Sequence, residues 1–595
     1  MAKFNFSSSS PKKQIEISGF LGVDFTSSPE KTDMRRSPDA LNMIRDTPGK
    51  NKKRSGYITE YTFSGEINGI HSFNYNGEEK FLVHAGTELY LKDGDTYTSI
   101  YSSMNDARSS SAVLAGKLII IDGGTMISYD GETVKNIKEN AYSPTIIIGR
   151  SPSGGGQLYE PINMITEYRI EKFTPDGSSK KYYLSADDLS GLSYVQQKSS
   201  DGEWTYLKYN IDYDYNTDAG TVTFFDPPAA STNGEDTILI CYRKENSEYS
   251  EIINSCTICT LYGINGAMDR IFLTGCSKYP NRDYYCQMDD PTYWGDTWYS
   301  TIGKSDSPII GYSIVSDCLA AHKANEDSNA NIILRKGSII DNEPCFPIAG
   351  TYPSSNAVAT YSFGTLDNEP VYLSDDGISA ITTSDVLGER FSQMRSYYLN
   401  GRLLAEENPE NASAVTYKGF YMLLLNDNIY ILDGLQSISA DGKPFSHRQY
   451  EGYFWQNIPG KFLFTNGREL YVAGREGKLY RFTEEAGFSD DGVPFESYWE
   501  MAEFFGDDFG IMKTVTHISV MLDSDADNTL VEYKNPDSEW EAITEVGTSV
   551  QDKILSRKIH IKNCASAKFK IRNISDNDFK VNKIQITFID GKKIK

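Results

Sequence analysis

Cysteine is scarce, eight in 595 residues, without the dense spacing of a disulfide-rich scaffold. Cys256 and Cys259 form the one C-x-x-C. A zinc site needs a second close pair, and Cys276 and Cys286 stand ten positions apart with no histidine nearby. Reduced, partly buried thiols are the expectation, and no metal or cofactor. Long apolar runs are missing as well. Stretches such as Leu118–Ile121 and Met422–Leu425 are far too short to cross a bilayer. The opening Met-Ala-Lys-Phe-Asn-Phe and four serines lead into no apolar segment with a cleavage site. These absences point to a soluble chain made in the cytosol, with no membrane partner.

Histidine is equally thin. His71, His84, His322, His447, His517 and His560 are scattered, and none adjoins a nucleophile motif such as G-x-S-x-G. Gly154-Gly155-Gly156 lacks the Lys-Ser/Thr of a phosphate loop and reads as a linker. Asp214–Asp218 has acidic spacing without the glycine and terminal glutamate of a helical calcium loop. Carboxylates abound, 82 in all, so proximity alone means little. A glycosidase would draw on Asp289, Asp290 and Asp296, with Tyr293, Trp294, Trp298 and Tyr299 as a sugar-stacking surface. Such catalysis needs two carboxylates at a set separation, and Asp289-Asp290-Pro291 also reads as an ordinary turn. The expectation is a protein that is not an enzyme.

Aromatic residues are plentiful: 40 tyrosines and 28 phenylalanines, suited to pairing across pleated sheets. The formal charge is −24, unevenly spread. Residues 1–60 carry +4 and 551–595 carry +8, leaving −36 on residues 61–550. Such a body repels nucleic acid from most of its surface, so the basic ends are the candidate contacts for acidic partners.

From about residue 61 the texture is short apolar runs separated by turn dipeptides. Gly69–Tyr75, Asn76-Gly77 and Lys80–His84 form one such phrase, and Asn-Gly between alternating runs predicts a hairpin. The phrase returns at 111–134, 356–383, 412–433 and 461–482, in units of roughly 30 to 40 residues that match propeller blades. The fold expected is all-β: a β-propeller of about six blades, with five or seven as alternatives, carrying an inserted small β-sandwich and a C-terminal β-sandwich. The boundaries read as an extended N-terminal arm (1–60), the first part of the propeller (61–156), the insertion (157–250), the second part of the propeller (251–490) and the C-terminal sandwich (491–595). The best helix candidate, Ser497–Phe504, is short. The arm holds the basic run Lys50-Asn51-Lys52-Lys53-Arg54 together with Phe20, Val23, Phe25, Leu41, Met43 and Ile44, apolar groups that a solvated tail does not need. It is expected to order against its own propeller or a neighbouring chain.

Two stretches carry a resemblance. The first is Gly22-Val23-Asp24-Phe25, then Arg36-Ser37-Pro38-Asp39-Ala40-Leu41-Asn42-Met43-Ile44-Arg45-Asp46, then Gly49 through Tyr57. The second is Asn281-Arg282-Asp283-Tyr284-Tyr285, then Asp290-Pro291-Thr292-Tyr293-Trp294 and Ile302-Gly303. Both resemble tailed-bacteriophage packaged-DNA stabilisation, or tail nozzle, proteins. The resemblance implies a non-enzymatic virion subunit, assembled in the host cytoplasm into a homo-oligomeric ring, commonly a hexamer. Such a ring sits at the neck or tail beside portal, adaptor or other tail proteins, and phage DNA passes through its channel without specific binding. An acidic wall would let DNA slide, whereas a basic one would hold phosphates. Arg36, Asp39, Asn42, Arg45, Lys50, Lys52, Lys53, Arg54 and Tyr57 are the residues expected at an assembly interface. They are expected to touch protein instead of DNA, and charge reversal along the basic run is expected to impair the ring while sparing the monomer fold. The alternative function is a receptor- or carbohydrate-binding tail protein.

Overall fold

The computed structural model describes residues 11–593 apart from 325, 327–329, 342, 384–389, 440–443, 523–528, 536–537, 544–548 and 552–553. The first ten residues of the expected arm lie outside the described residues. The chain divides into two compact units, Asn68–Glu326 with Ile333–Gly350, and Met1–Ile67 with Asp327–Ile332 and Thr351–Lys595.

The fold is all-β, and propeller blades are its repeating element. Among the described residues six sheets contain a four-stranded antiparallel meander, at 67–101, 110–136, 258–301, 364–394, 413–455 and 460–482, and a further four-stranded sheet lies at 309–352 with a separate two-stranded hairpin before its last strand. The sheet at 460–482 takes its fourth strand, Tyr57–Thr62, from near the N-terminus, with Tyr57 opposite Phe482. Local chemistry explains the turns. Asn76 and Gly77 both adopt positive φ (52° and 85°) between Ile67–Tyr75 and Glu78–Ala85, the geometry that matches strand twist in a two-residue hairpin. Inner strands are apolar on both faces: every residue of Phe420–Leu425 is buried.

The inserted sandwich of the first unit has a six-stranded sheet and a three-stranded one, closed over Phe173, Tyr182, Val195, Val222, Phe224 and Ile240. It starts earlier than residue 157. Thr145–Arg150 belongs to its large sheet, running parallel to Tyr168–Phe173. The glycine run read as a linker is a turn inside this sheet, where Gly154 N–H donates to the Ser151 carbonyl and the Ser151 hydroxyl to the Gly154 carbonyl.

The C-terminal sandwich is built from both ends of the chain. Its large sheet joins Ile511–Leu522, Ile554–Cys564 and Lys580–Lys593 to Lys12–Ser18, Met43–Thr47 and Lys50–Lys53. Ile15 faces Ile586, and Asn51 faces Val581. The expected helix at Ser497–Phe504 is replaced at Ser497–Glu500 by a strand against Lys568–Asn573. Its Trp499 is buried edge-on to Phe20, ring centroids 5.2 Å apart, a long-range contact that outweighs local helix preference.

Candidate functional site

The arm motif is held within its own unit. Lys50–Lys53 is a strand, so its side chains alternate: Lys50 is exposed, Lys52 half-buried, Lys53 buried. The Lys53 ammonium donates to the carbonyls of Phe495 and Ser575 and to Asn573. Burial, with Arg54 adjacent, lowers its pKa to about 8. Arg54 grips the Asp490 carboxylate at 2.8 and 2.5 Å, donates to Asn42 and lies 3.8 Å above the Phe495 ring. Arg36 makes the same fork to Glu451, at 3.0 and 2.5 Å, beneath Tyr398. Arg45 Nε meets Asp433 at 2.5 Å, and burial raises the Asp433 pKa although Arg45 opposes it.

The other expected interface residues follow the same pattern. Asp39 accepts from Arg402 (2.7 Å) and Tyr498 (3.1 Å). Asn42 donates to the Glu496 carbonyl and accepts from the Gln456 amide. Tyr57 is packed on Tyr480 and Phe482. Lys52 pairs with Asp46 at 3.0 Å. These contacts are with protein, and all lie inside one chain. Arg36, Asn42, Lys53, Arg54 and Tyr57 are buried within the chain, and each supports its fold. Charge reversal at Lys53 or Arg54 acts on the monomer itself, contrary to the expectation from sequence.

The motif's glycines have the same origin. A Cβ on Gly22 would stand 2.1 Å from the Gly452 carbonyl oxygen, and one on Gly56 1.8 Å from that of Ser489. The arm crosses other backbone at these points with no room for a side chain.

The second stretch is also structural. Asp283 and Arg335 form a fully buried pair at 2.8 Å, and the Tyr312 hydroxyl donates to the same carboxylate (3.1 Å). Burial still pushes the Asp283 pKa up. Trp294 is buried, with Nε1–H donating to the Pro291 carbonyl, and the Tyr293 hydroxyl donates to that of Pro161. Asp290 accepts from the Thr292 amide and hydroxyl, and Asp296 from the Ile162 amide. The sugar-stacking surface read at Tyr293, Trp294, Trp298 and Tyr299 is not formed. Trp294 and Tyr293 are core, and Tyr293 packs 4.6 Å from the half-buried Trp298. Asp290 serves as the turn residue it resembled.

Other reactive groups are scattered or buried. His71 bonds the hydroxyls of Ser109 and Ser111 while His84 bonds Ser109, and desolvation lowers the pKa of both, His71 to about 3. Burial pushes the Cys259 and Cys286 thiols up to about 12. Among the described residues no three His, Cys, Asp or Glu side chains are grouped to hold a metal ion, and no helix is long and apolar enough to cross a membrane.

What sequence reasoning missed is the distribution of exposed apolar side chains. Leu158, Tyr159, Tyr206, Tyr209, Ile211 and Phe225 are all exposed on the inserted sandwich. Gln157–Leu158 is one edge strand of its six-stranded sheet and Trp204–Tyr206 is the opposite edge. The signal was present in Tyr-x-x-Tyr-x-Ile at 206–211, where three large apolar residues fall outside any buried strand.

No family model matches the chain, and no curated protein matches it. Similar solved structures include BBS1N in complex with ARL6DN, at 8% identity and TM-score 0.24, covering 73% of this chain and 99% of that one. Kluyveromyces lactis Hsv2 has 8% identity and TM-score 0.24, covering 67% and 100%. A glycoside hydrolase has 8% identity and TM-score 0.21, covering 90% and 98%. At such TM-scores none of them carries a functional argument.

Proposed function

We propose that the chain is a non-enzymatic structural subunit of a virion ring, nozzle-like, at the neck or tail of a tailed bacteriophage. In this reading the ring forms part of the genome-exit channel and helps retain packaged DNA. One observation carries the reading: exposed apolar groups stand at two opposite edges of one sheet. Leu158 (82% exposed) and Tyr159 (61%) mark one edge, and Tyr206 (67%) marks the other, with Ile211 (65%) in the loop that follows. A closed ring needs two different, mutually complementary surfaces on every subunit, and exposed apolar patches mark protein–protein contacts. The edge strands are only two and three residues long, which limits uncontrolled strand addition and leaves side chains to set the contact.

The test uses two variants, Leu158→Lys/Tyr159→Glu and Tyr206→Lys/Ile211→Glu, examined by mass photometry. Wild type is expected to form closed rings and each variant to stay monomeric. Mixing the two restores one good contact and gives heterodimers. Variants that assemble as wild type does would count against the reading.

The alternative, a receptor- or carbohydrate-binding tail protein, draws on the same tip. Tyr209 and Tyr215 rings stand 5.2 Å apart beside Asn210 and Asp212, and exposed aromatic faces with polar neighbours suit sugars. A glycan array distinguishes the two: binding lost on Tyr209→Ala favours recognition, and its absence favours assembly.

A further inference from the structure

The second unit contains a cavity of about 460 Å³, within the size range of ligand pockets. Its walls are of two kinds. Phe420, Met422, Trp455 and Phe482 supply an apolar side. Arg45, Lys52, Lys53, Arg54, Lys418 and Lys580 supply six cations against the two carboxylates of Glu484 and Asp578, and Lys418 is exposed. Arg45 is the informative group. Its side chain is only 9% exposed, Nε is bound to Asp433, and the guanidinium lies 4.8 Å from the Phe420 ring centre. Its two terminal nitrogens meet no acceptor among the described residues. Neither terminal nitrogen is among the fully buried unpaired atoms; both are open to the cavity that Arg45 lines, where an anion can accept from them, and the planar fork matches a carboxylate.

We propose that this cavity binds a carboxylate carried on an apolar body of aromatic size, the carboxylate on Arg45 and the body against Trp455 and Phe482. The ligand is either a free small molecule or an acidic-aromatic segment of a neighbouring copy; the chemistry recognised is the same. The cavity belongs to a single unit, so binding of the free probes is independent of the ring reading; only the separation of the two sources rests on assembly.

The full-length protein is titrated with 2-naphthoate and with the neutral 2-naphthylmethanol, by calorimetry and by tryptophan fluorescence. The anion is expected to bind about tenfold more tightly, the scale of one charge-assisted fork, and added salt narrows the difference. Lys418→Glu, an exposed substitution that spares folding, is expected to weaken naphthoate several-fold and leave the neutral compound unchanged. Arg45→Lys keeps the charge against Asp433 and is expected to abolish the preference. Trp455→Phe is expected to remove the fluorescence change. Equal affinities for the two probes, or a naphthoate affinity untouched by both Lys418→Glu and Arg45→Lys, would overturn the proposal. The sources separate on adding naphthoate to assembled protein. Dissociation assigns the carboxylate to a neighbouring chain, and intact assemblies assign it to a small molecule.

Discussion

Arg54→Ala probes the intrachain fastening of the arm most sharply. The side chain is fully buried and its fork holds Asp490, itself mostly buried. Alanine leaves that carboxylate without its cation, Asn42 with only the Gln456 amide of its two donors and the Phe495 face uncovered. Removing one partner of a buried pair costs about 3–5 kcal/mol, a large part of the 5–15 kcal/mol that typically holds a domain. Because the chain has two compact units, unfolding is not expected to be one two-state step, so the loss is best read locally. Hydrogen exchange of Lys12–Ser18, Lys50–Lys53 and Lys580–Lys593, which share a sheet, should accelerate by about two to three and a half orders of magnitude, the equivalent of that loss at about 1.4 kcal/mol per decade. Lys50→Ala, at an exposed position of the same strand, should change stability by no more than about 0.5 kcal/mol. The double variant Arg54→Met/Asp490→Leu, which removes both charges, should recover much of the loss. Wild-type exchange in Arg54→Ala would refute the reasoning.

Three further predictions follow from burial. His71 and His322 titrate at about 3 in the fold against about 6.5 unfolded. Their contribution is complete above pH 6.5 and declines by about 1.4 kcal/mol per pH unit for each as pH falls toward 3; denaturation midpoints across that range should fall, less steeply in His322→Gln. Gly22→Ala, whose Cβ would collide with the Gly452 carbonyl, should cost at least about 1–3 kcal/mol, read from chemical denaturation. In native protein at pH 8 a thiol reagent should modify the half-exposed Cys318 and Cys345 quickly. It should leave the buried Cys241, Cys256, Cys276, Cys286 and Cys564 until urea is added.

The blades were legible because their signal is local. Asn76-Gly77 and Lys418-Gly419 take the positive φ angles that hairpins demand, and the flanking runs alternate or stay apolar as inner strands require. The C-terminal strands were legible for the same reason: Lys568–Asn573 alternates half-buried and buried residues without a break. What local pattern could not reveal was pairing over distance. The basic run read as an extended arm ordering against its own propeller or a neighbouring chain, whereas Asn51 pairs with Val581 in the C-terminal sheet and the lysines divide between solvent and core, a distinction absent from composition. Tyr293 and Trp294 looked like a binding face because aromatic residues beside carboxylates suit sugars equally well as they suit a turn over a core. The start of the insertion was misplaced because three glycines in succession signal a linker and a tight turn alike. The apolar tips at Leu158 and Ile211 lay in stretches too short to register as anything but loop.

Electron microscopy of the purified protein, alone and mixed with a portal–adaptor complex, tests the central claim most directly. Closed rings of uniform subunit number, docking coaxially on the complex, are the predicted outcome. Particles that stay monomeric at every concentration and ignore the complex would contradict it.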